Sequence, residues 1–304
     1  MSRGGETMTY ATHGLTGADL LKGYSIEVMP RTAAKIEDFK ALLPAGTRVY
    51  IAHIDGTPIA DMVATAGRLR RDGFEVMPHF PARSIPDLAT LKDWISRYQG
   101  EAGVDQALVL AGGNARPVGD FGSSIELLQS GAFHQAGFRR LHVAGHPEGN
   151  RDIDPDGSTR QADAALRWKA EHAKTTGVEM AIVTQFLFDA DRAADWMAGL
   201  RREGIELPVH LGLAGPAKLQ TLIKFAIACG VGPSLSVLKK RARDLSKLLV
   251  PFEPDTILDD LARRAQADPT VLPAQIHLFP LGGIAASAEW ASRQGAGHLR
   301  RVVG

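Results

Sequence analysis

The chain has 304 residues, of which 44% are hydrophobic and 23% charged, and its formal net charge is +1. This balance indicates neither a nucleic-acid partner nor a membrane-surface partner, and no apolar stretch approaches the roughly 20 residues of a membrane span. The single cysteine, Cys229, excludes an intrachain disulfide and is typical of a protein from a reducing, cytoplasmic compartment.

Residues 1–20 are predicted to form a flexible N-terminal segment. The first 13 are polar and glycine-rich and lack the apolar core of a signal peptide. Residues 21–304 are long enough for one large domain, since α/β barrels of about 250 residues fold as single units. We therefore expect a single catalytic domain over residues 21–304.

Eight short apolar runs recur along the chain. Their near-continuous apolar character is typical of parallel strands that are covered on both faces. The predicted strands are Tyr24–Pro30, Arg48–Ile54, Glu75–Pro81, Gln106–Gly112, Leu141–Gly145, Met180–Phe186, Pro208–Ala214 and Gln275–Leu281.

Segments with helical periodicity follow most of these runs. Apolar residues keep to one helix face from Ile59 to Leu69, after the second run, and from Leu219 to Ile227, after the seventh. Eight β-then-α units predict a (β/α)8 TIM barrel. The rival, an open doubly wound sheet, usually carries a glycine-rich dinucleotide motif after its first strand, and none is found there.

The spacing of the units is uneven in two places. About 60 residues separate the seventh and eighth strands, and extra helices are predicted at Ser236–Leu249 and Pro254–Ala267. The basic run Lys239–Arg243 is interpreted as a solvated helix face, with attraction of an anionic ligand tail as the alternative. A polar insert, Gly149–Arg160, follows the fifth strand and is predicted to be a loop.

Glu27 is the lone acid in the otherwise apolar first strand. In a barrel it would point into the mouth, where loss of hydration raises the pKa of a carboxyl group. Such a group suits a general acid near neutral pH. The alternative is a buried structural glutamate that pairs with a backbone donor or an arginine.

Other polar residues near the strand ends allow two interpretations each. Gly112, Gly113 and Asn114 end the fourth strand, where glycines either form a tight turn or let a ligand approach the backbone. The segment from His146 to Asn150 either contacts a ligand or forms an ordinary loop.

Histidines are numerous in the predicted strands, but no metal site is expected. His53 and His79 are single residues on separate strands, without the ligand spacing of a metal hydrolase. His142, His210 and His277 lie inside strand runs and are interpreted as hydrogen-bonded core or lumen residues.

The sixth strand ends in Thr184-Gln185-Phe186-Leu187-Phe188-Asp189, which places an amide and a carboxylate at the predicted rim. This hexapeptide resembles a signature of the methylenetetrahydrofolate reductase family, flavoenzymes of one-carbon metabolism. The resemblance extends from about Tyr24 to Gly283. The segments that carry it resemble the family's first, third, fifth and seventh strands, and they are Ser25–Pro30, Met77–His79, Val143–Glu148 and Gly212–Gly215.

The resemblance implies FAD held noncovalently in the barrel mouth, and folate and NAD(P)H, or another electron partner, as ligands. Glu27 would be the general acid at N10 of the folate, and Gln185 would orient the pterin while hydride passes between the flavin and the methylene carbon. The implied cofactor-binding residues are His79, Leu110, Ala111, Gly112, Phe121, Gly122, Ala144, His146, Asn150, Asp163, Lys169 and Phe279. The implied substrate-binding residues are Gly113, Asn114, Gln185 and Leu219.

The chain departs from the family at the end of the fourth strand. The family has Leu-Arg-Gly-Asp there, whereas this chain has Ala111 in place of the arginine and Gly113 in place of the aspartate. Loss of a negative charge near the flavin raises its reduction potential, because reduced flavin tends to be anionic. The sequence therefore suggests a divergent member that runs in the oxidative direction, as a demethylation pathway would need.

Two alternatives to this function remain at the level of the sequence. A non-enzymatic folate- or flavin-binding barrel would explain the lost aspartate and arginine, but not the retained Glu27 and Gln185. A flavin-free lyase would need a Schiff-base lysine at a strand end, and none of the eight runs contains a lysine. We expect a homo-oligomer that binds small molecules only.

Overall fold

Eight parallel strands close into a barrel in the order β1 to β8, as the sequence predicts. The computed structural model describes residues 14–229, 237–238 and 251–296. The strands are β1 Ser25–Val28, β2 Arg48–Ile51, β3 Glu75–Pro81, β4 Gln106–Leu110, β5 Arg140–Gly145, β6 Glu179–Leu187, β7 Val209–Ala214 and β8 Gln275–Phe279.

Helices surround the barrel. They are α1 Gly17–Leu20, α2 Pro30–Ala33, α3 Ile59–Arg71, α4 Leu88–Ala102, α5 Ser124–Gln129, α6 Ala132–Gln135, α7 Arg160–Thr176, α8 Ala190–Arg202, α9 Leu219–Ala228, α10 Asp255–Ala267 and α11 Ile284–Ala291. In the part of the chain that the structure describes, no helix is both long and apolar enough to cross a membrane.

The long connection between β7 and β8 contains α9 and α10, and α10 confirms the helix predicted at Pro254–Ala267. The other predicted helix, Ser236–Leu249, lies almost wholly outside the described residues, as does the basic run Lys239–Arg243. Residues 1–13 of the predicted N-terminal segment also lie outside them, while α1 packs against α10.

Local sequence explains where several helices begin and end. The carboxylate of Asp87 accepts a hydrogen bond from the Thr90 amide at the start of α4, and Gly103 ends that helix in the left-handed conformation. Asp189 begins α8 by accepting hydrogen bonds from the amides of Asp191 and Arg192. The aspartate of the Thr-Gln-Phe-Leu-Phe-Asp motif therefore has a structural role as a helix cap.

The main hydrophobic core lies between the outer faces of the strands and the helices, where Ile26, Val28 and Val49 are almost fully buried. The barrel lumen is different, because many side chains that point into it are polar. Its small apolar cluster consists of Tyr50, Met77, Leu108 and Val183, with Leu110 packed against it.

Charged side chains fill the lumen at the amino-terminal end of the strands. The Glu75 carboxylate lies 2.8 Å from an Arg48 nitrogen and 3.6 Å from an Arg140 nitrogen. Arg140 also lies 2.5 Å from Glu179, and Arg48 donates a hydrogen bond to Gln275. This group, which we call the basal ring, joins strands β2, β3, β5 and β6 through ion pairs and β8 through a hydrogen bond.

Candidate functional site at the carboxyl end of the barrel

Glu27 lies in the lumen near the carboxyl ends of the strands. Its neighbours on β1, Ile26 and Val28, point outward into the main core, so the alternation of the strand turns Glu27 inward. The side chain is 20% exposed, and burial raises the pKa of its carboxyl group to about 8. The group is therefore mostly protonated at pH 7, as the sequence suggests for an acid in this strand.

His79 is the side chain nearest to this carboxyl group. Its Nε2 lies 3.3 Å from Oε2 of Glu27. Burial, and then the neighbouring His53, lowers the pKa of His79 to about 3. Both partners are thus mostly uncharged at neutral pH, so this close contact is not an ion pair.

A polar network of histidines fills the lumen below this pair. The hydroxyl of Tyr50 lies 2.6 Å from Nδ1 of His142 and 3.5 Å from Nδ1 of His210, and the hydroxyl of Ser25 lies 3.0 Å from Nδ1 of His277. Burial lowers the pKa of all three imidazoles. The prediction that they are hydrogen-bonded lumen histidines is confirmed.

A β-bulge shapes the end of β6, where the pairing with β7 shifts register between Val183 and Phe186. The Thr184 hydroxyl accepts a hydrogen bond from the Gly212 amide at 2.8 Å, and the Gln185 side chain accepts one from the Phe186 amide at 3.1 Å. A Cβ atom on Gly212 would come within 2.6 Å of the Thr184 carbonyl oxygen, so only glycine fits there. The bulge leaves Gln185 half-buried at the rim.

An aromatic cluster lines the same side of the mouth. Phe186 packs against Phe188 and Phe279, with ring centres 5.9 and 5.5 Å apart, and Phe188 packs against Phe252. Leu219, at the start of α9, is buried in this cluster. The mouth therefore has a polar side around Glu27 and an apolar side that suits a flat ring system.

The two glycines after β4 have different roles. Gly112 has a φ of +94°, and a Cβ atom there would lie 2.9 Å from Cβ of Pro81, so the turn itself requires glycine. A Cβ atom on Gly113 would meet nothing within 4 Å. Position 113 can therefore accept a larger side chain.

Asn114 is held in the loop that follows. Its side-chain amide lies 3.3 Å from the Asp55 carboxylate and 3.3 Å from the Ser84 hydroxyl. Arg83 donates hydrogen bonds to the carbonyl oxygens of Asn114 and Gly122, at 3.0 and 3.1 Å. Although Ala111 and Gly113 carry no charge, this part of the rim has a carboxylate from Asp55, after β2, and a guanidinium group from Arg83, after β3.

A buried lysine of α7 lies near His146, which follows β5. Lys169 of α7 is only 5% exposed, and burial lowers the pKa of its ammonium group to about 8. Within the described residues no hydrogen bond or ion pair reaches it. Burial, and then the charge of Lys169, lowers the pKa of the neighbouring His146 to about 4. The nearby Asp154 carboxylate is occupied by the Gln161 and Ala162 amides at the start of α7.

The remaining predicted residues lie in mixed surroundings. Ala144 is half-buried on β5, whereas Phe121 is buried in the main core and offers a ligand only its backbone. Asn150 accepts a hydrogen bond from the Asp152 amide within its loop, and Asp163 accepts one from the Thr159 hydroxyl. Among the described residues, no group of three or more His, Cys, Asp or Glu side chains is arranged to hold a metal ion.

Sequence reasoning missed several residues of this site. Phe186, Phe188 and Phe252 form the aromatic cluster only because the bulge and the connection before α10 bring them together. Asp55 directly follows the predicted second strand, but its contact with Asn114 spans 59 residues and has no local signal in the sequence. Asp154 lies in the insert Gly149–Arg160, which the sequence predicts to be a loop, and nothing in that pattern marks it as the acceptor for the Gln161 and Ala162 amides.

The solved structures that resemble this chain include the following two. An uncharacterised protein from Clostridium thermocellum that binds two copies of 5-methyl-5,6,7,8-tetrahydrofolic acid is 13% identical, with a TM-score of 0.51 over 92% of this chain and 98% of that one. A dihydropteroate synthetase with its product is 12% identical over 91% and 95% of the two chains, at a TM-score of 0.44. The first similarity supports the barrel fold. No family model matches the chain.

Proposed function

We propose that this protein is a flavin-dependent oxidoreductase that interconverts 5,10-methylenetetrahydrofolate and 5-methyltetrahydrofolate. The observation that carries the proposal is the Glu27 carboxyl group, which is mostly protonated at neutral pH and partly open to the barrel mouth. It coincides with the position to which the family resemblance assigns the general acid. Gln185 lies at the same rim, on the strand that carries the most specific motif.

The residues at the mouth fit FAD as the cofactor. Lys169 is a buried ammonium group without an acceptor in the described chain, and a buried cation of this kind is stabilised by an anionic group such as a diphosphate. His79, His146 and the aromatic cluster would surround the ring system. A bound flavin supplies the two-electron exchange with the one-carbon unit.

The protein's own residues handle the proton. In the reductive direction Glu27 gives its proton to N10 of the folate as the bond between N10 and the one-carbon unit breaks, and the electron pair of that bond stays on N10. In the oxidative direction N10 forms that bond and loses its proton to the Glu27 carboxylate. Gln185 orients the pterin for both directions.

Folate is the first ligand to test for two reasons. The family resemblance implies it, and the Clostridium thermocellum protein with a similar fold binds 5-methyltetrahydrofolic acid. The polar and apolar sides of the mouth match a pterin, which has hydrogen-bonding edges and flat faces.

The oxidative direction is part of the proposal. Gly113 removes a negative charge from the end of β4 and Ala111 removes a positive one. Arg83 still brings a guanidinium group to this part of the rim, whereas the nearest carboxylate, Asp55, is exposed and hydrogen-bonded to Asn114. Because water screens an exposed charge, Asp55 lowers the flavin potential less than a desolvated aspartate would. A higher potential favours oxidation of methyltetrahydrofolate.

The absorbance spectrum of the purified protein, reconstituted with FAD, tests the proposal. We expect a bound-flavin spectrum that bleaches without oxygen on addition of 5-methyltetrahydrofolate. NADH serves as a second reductant in a parallel sample. Binding of folate or flavin without any bleaching would favour the non-enzymatic binder, and absence of flavin binding would contradict the proposal altogether.

A further inference from the structure

Arg83, in the segment after β3, brings a guanidinium group to the rim without a carboxylate to pair with it. The side chain is partly buried, its Nε donates to the Gly122 carbonyl at 3.1 Å, and its Nη1 donates to the Asn114 carbonyl at 3.0 Å. Within the described part of the chain it forms no ion pair, and Nη2 makes no hydrogen bond. The two carbonyl oxygens hold the group but leave its charge and its remaining N–H donors for a ligand.

The backbone of Arg83 is fixed as firmly as its side chain. Its amide donates to the Ala111 carbonyl at 2.9 Å, and its carbonyl accepts from the Val118 amide at 3.0 Å. The loop after β4 also packs closely against the next residues, because a Cβ atom on Gly119 would overlap the carbonyl oxygen of Pro86. The guanidinium group is therefore held in one orientation, and a ligand does not have to order a long side chain when it binds.

Lys169 is a second cation of this kind. It is only 5% exposed, and no hydrogen bond or ion pair reaches its ammonium group within the described residues. Arg83 follows β3, whereas Lys169 lies near His146, which follows β5, so the end of β4 lies between the two cations. Two strand spacings are about 10 Å, a length that a diphosphate spans with one hydrogen bond at each end.

We propose that Arg83 binds the diphosphate of FAD, together with Lys169, across the end of β4. The planar donor edge of a guanidinium group matches two phosphate oxygens, and an anion between two cations offsets the cost of burying them. Ala111, whose carbonyl Arg83 contacts, has no charge of its own, so Arg83 supplies the positive charge at this strand end. The inference rests on the proposed function for the identity of the cofactor, but it is tested by binding and not by turnover.

The carboxylates of the folate tail are the other anions that a cation at the rim could bind. The second cation favours the diphosphate, because Lys169 is buried and a folate tail that extends into solvent does not reach a buried group. A compact dianion at the end of β4 can contact both side chains. The two ligands are separated in the test by measuring the affinity for each.

The test compares FAD with riboflavin, which has the same ring system and no phosphate. Arg83→Gln removes the charge and keeps an amide donor for the carbonyl oxygens that hold the loop, whereas Arg83→Lys keeps the charge. Arg116→Gln is the matched control, because Arg116 is an exposed arginine in the loop after β4. Equilibrium dialysis followed by flavin absorbance gives the dissociation constants of both ligands for the full-length wild type and each variant.

We expect Arg83→Gln to raise the Kd for FAD about 30-fold, on the scale of lost hydrogen bonds to a charged group, and to change the Kd for riboflavin less than about twofold. Arg83→Lys should weaken FAD binding less than Arg83→Gln, because a lysine keeps the charge without the planar donor edge. Added salt should weaken FAD binding in the wild type and in Arg116→Gln, and this dependence should be smaller in Arg83→Gln.

An unchanged ratio of FAD affinity to riboflavin affinity in Arg83→Gln would overturn the role of Arg83 and leave the proposed function intact. Weaker binding of 5-methyltetrahydrofolate or NADH to Arg83→Gln, with FAD affinity unchanged, would overturn it too and assign the guanidinium group to that ligand. FAD binding that depends on Arg83, in a protein whose flavin is not bleached by 5-methyltetrahydrofolate, would overturn the proposed reaction and leave the diphosphate site intact. Absence of FAD binding in the wild type would overturn both.

Discussion

A glutamate lies at each end of the barrel, one beside charged groups and the other beside uncharged ones. In the basal ring, Glu75 lies between the guanidinium groups of Arg48 and Arg140, so its charge is paired. At the mouth, Glu27 lies between the uncharged imidazoles of His79 and His277, so a charge there has no opposite partner. The paired carboxylate contributes stability, and the unpaired carboxyl group keeps its proton at neutral pH.

This contrast follows the division of labour in TIM barrels, whose amino-terminal face serves stability and whose carboxyl-terminal face carries chemistry. The physical cause is desolvation. Burial without a neighbouring cation raises the pKa of Glu27, whereas the Glu75 side chain is partly exposed and lies beside two guanidinium groups. The same neutralising substitution should therefore have opposite consequences at the two ends.

Glu27→Gln is expected to have the largest effect. It should leave flavin binding intact and slow folate-dependent flavin reduction by at least about 100-fold, the scale of a lost general acid–base group. Stopped-flow absorbance without oxygen measures the rate, with Glu75→Gln as the control at the other end. Near-wild-type turnover in Glu27→Gln would remove Glu27 from the mechanism.

The stability of the same variant sharpens the comparison. The folded-state pKa of Glu27, about 8, lies above the ordinary value of 4.5. The wild-type protein therefore loses stability as the pH rises from about 4.5 to about 8, because unfolding releases a proton that the native state retains. Thermal unfolding should show that the stability of Glu27→Gln relative to the wild type increases from pH 4.5 to pH 8 and stays constant above pH 8. The same pH dependence in both proteins would contradict the raised pKa.

Gln185→Ala should lower folate turnover about tenfold, or about 1.4 kcal/mol, while FAD stays bound. The side chain accepts a hydrogen bond from the Phe186 amide, so part of the effect comes from loosening the bulge. Thr184→Val separates the two contributions, since it loosens the same bulge and leaves the amide. Unchanged folate kinetics in Gln185→Ala would show that Gln185 has only a structural role at the end of β6.

The pH dependence of the two directions should diverge. Oxidation of methyltetrahydrofolate needs the Glu27 carboxylate, so its rate should rise about tenfold from pH 7 to pH 9. Reduction of the methylene form needs the protonated acid, so its rate should fall over the same range. Rates measured in both directions across this range test the assignment, and parallel profiles would argue against Glu27 as the group that titrates.

Glu75→Gln should destabilise the protein and spare its chemistry. Removing this carboxylate leaves Arg48 and Arg140 with fewer partners, at a cost of about 1–2 kcal/mol for a partly exposed group. Urea unfolding measures the free energy, and folate turnover at a temperature well below unfolding serves as the control. A loss of turnover without loss of stability would show that the two ends are coupled.

Gly113→Asp should have the smallest effect. The position has open space for a side chain, so the added carboxylate should fit and lower the flavin midpoint potential by up to about 30 mV, equivalent to about 1.4 kcal/mol. Spectroelectrochemical titration measures the shift, and the ratio of oxidative to reductive rates should fall with it. A potential that stays the same or rises would remove the charge argument for direction.

The fold was predictable because its signals are local. Each strand is a short apolar run and most helices have one apolar face, so all eight strands are found within a few residues of their predicted ends. Glu27 was predictable for the same reason, as one acid in an apolar strand. The approach of His277 Nε2 to 4.0 Å from its carboxyl group was not, because about 250 residues separate the two and no local pattern encodes closure of a barrel.

The Thr184–Asp189 motif shows the limit of prediction from sequence within a single segment. The motif itself could be recognised in the sequence, but the separate structural roles of its residues could not. Asp189 caps α8, Thr184 accepts a hydrogen bond beside the bulge, and Gln185 is half-buried and accepts a hydrogen bond from the Phe186 amide. A bulge adds one residue to one strand, which reverses the inward and outward faces after it, and the sequence pattern alone gives no sign of that reversal.

The hydrogen bond between Ser25 and His277 has a consequence for how the protein folds. It crosses the junction of the first and last strands, where only two residue pairs are in register, compared with six between β5 and β6. Such a contact closes a loop of nearly the whole chain and is expected to form late, since contacts of long sequence separation fold slowly. Because burial raises the pKa of Glu27, its carboxyl group is expected to gain a proton at pH 7 as the barrel closes around it, and a refolding experiment that follows its carboxyl band would time that closure.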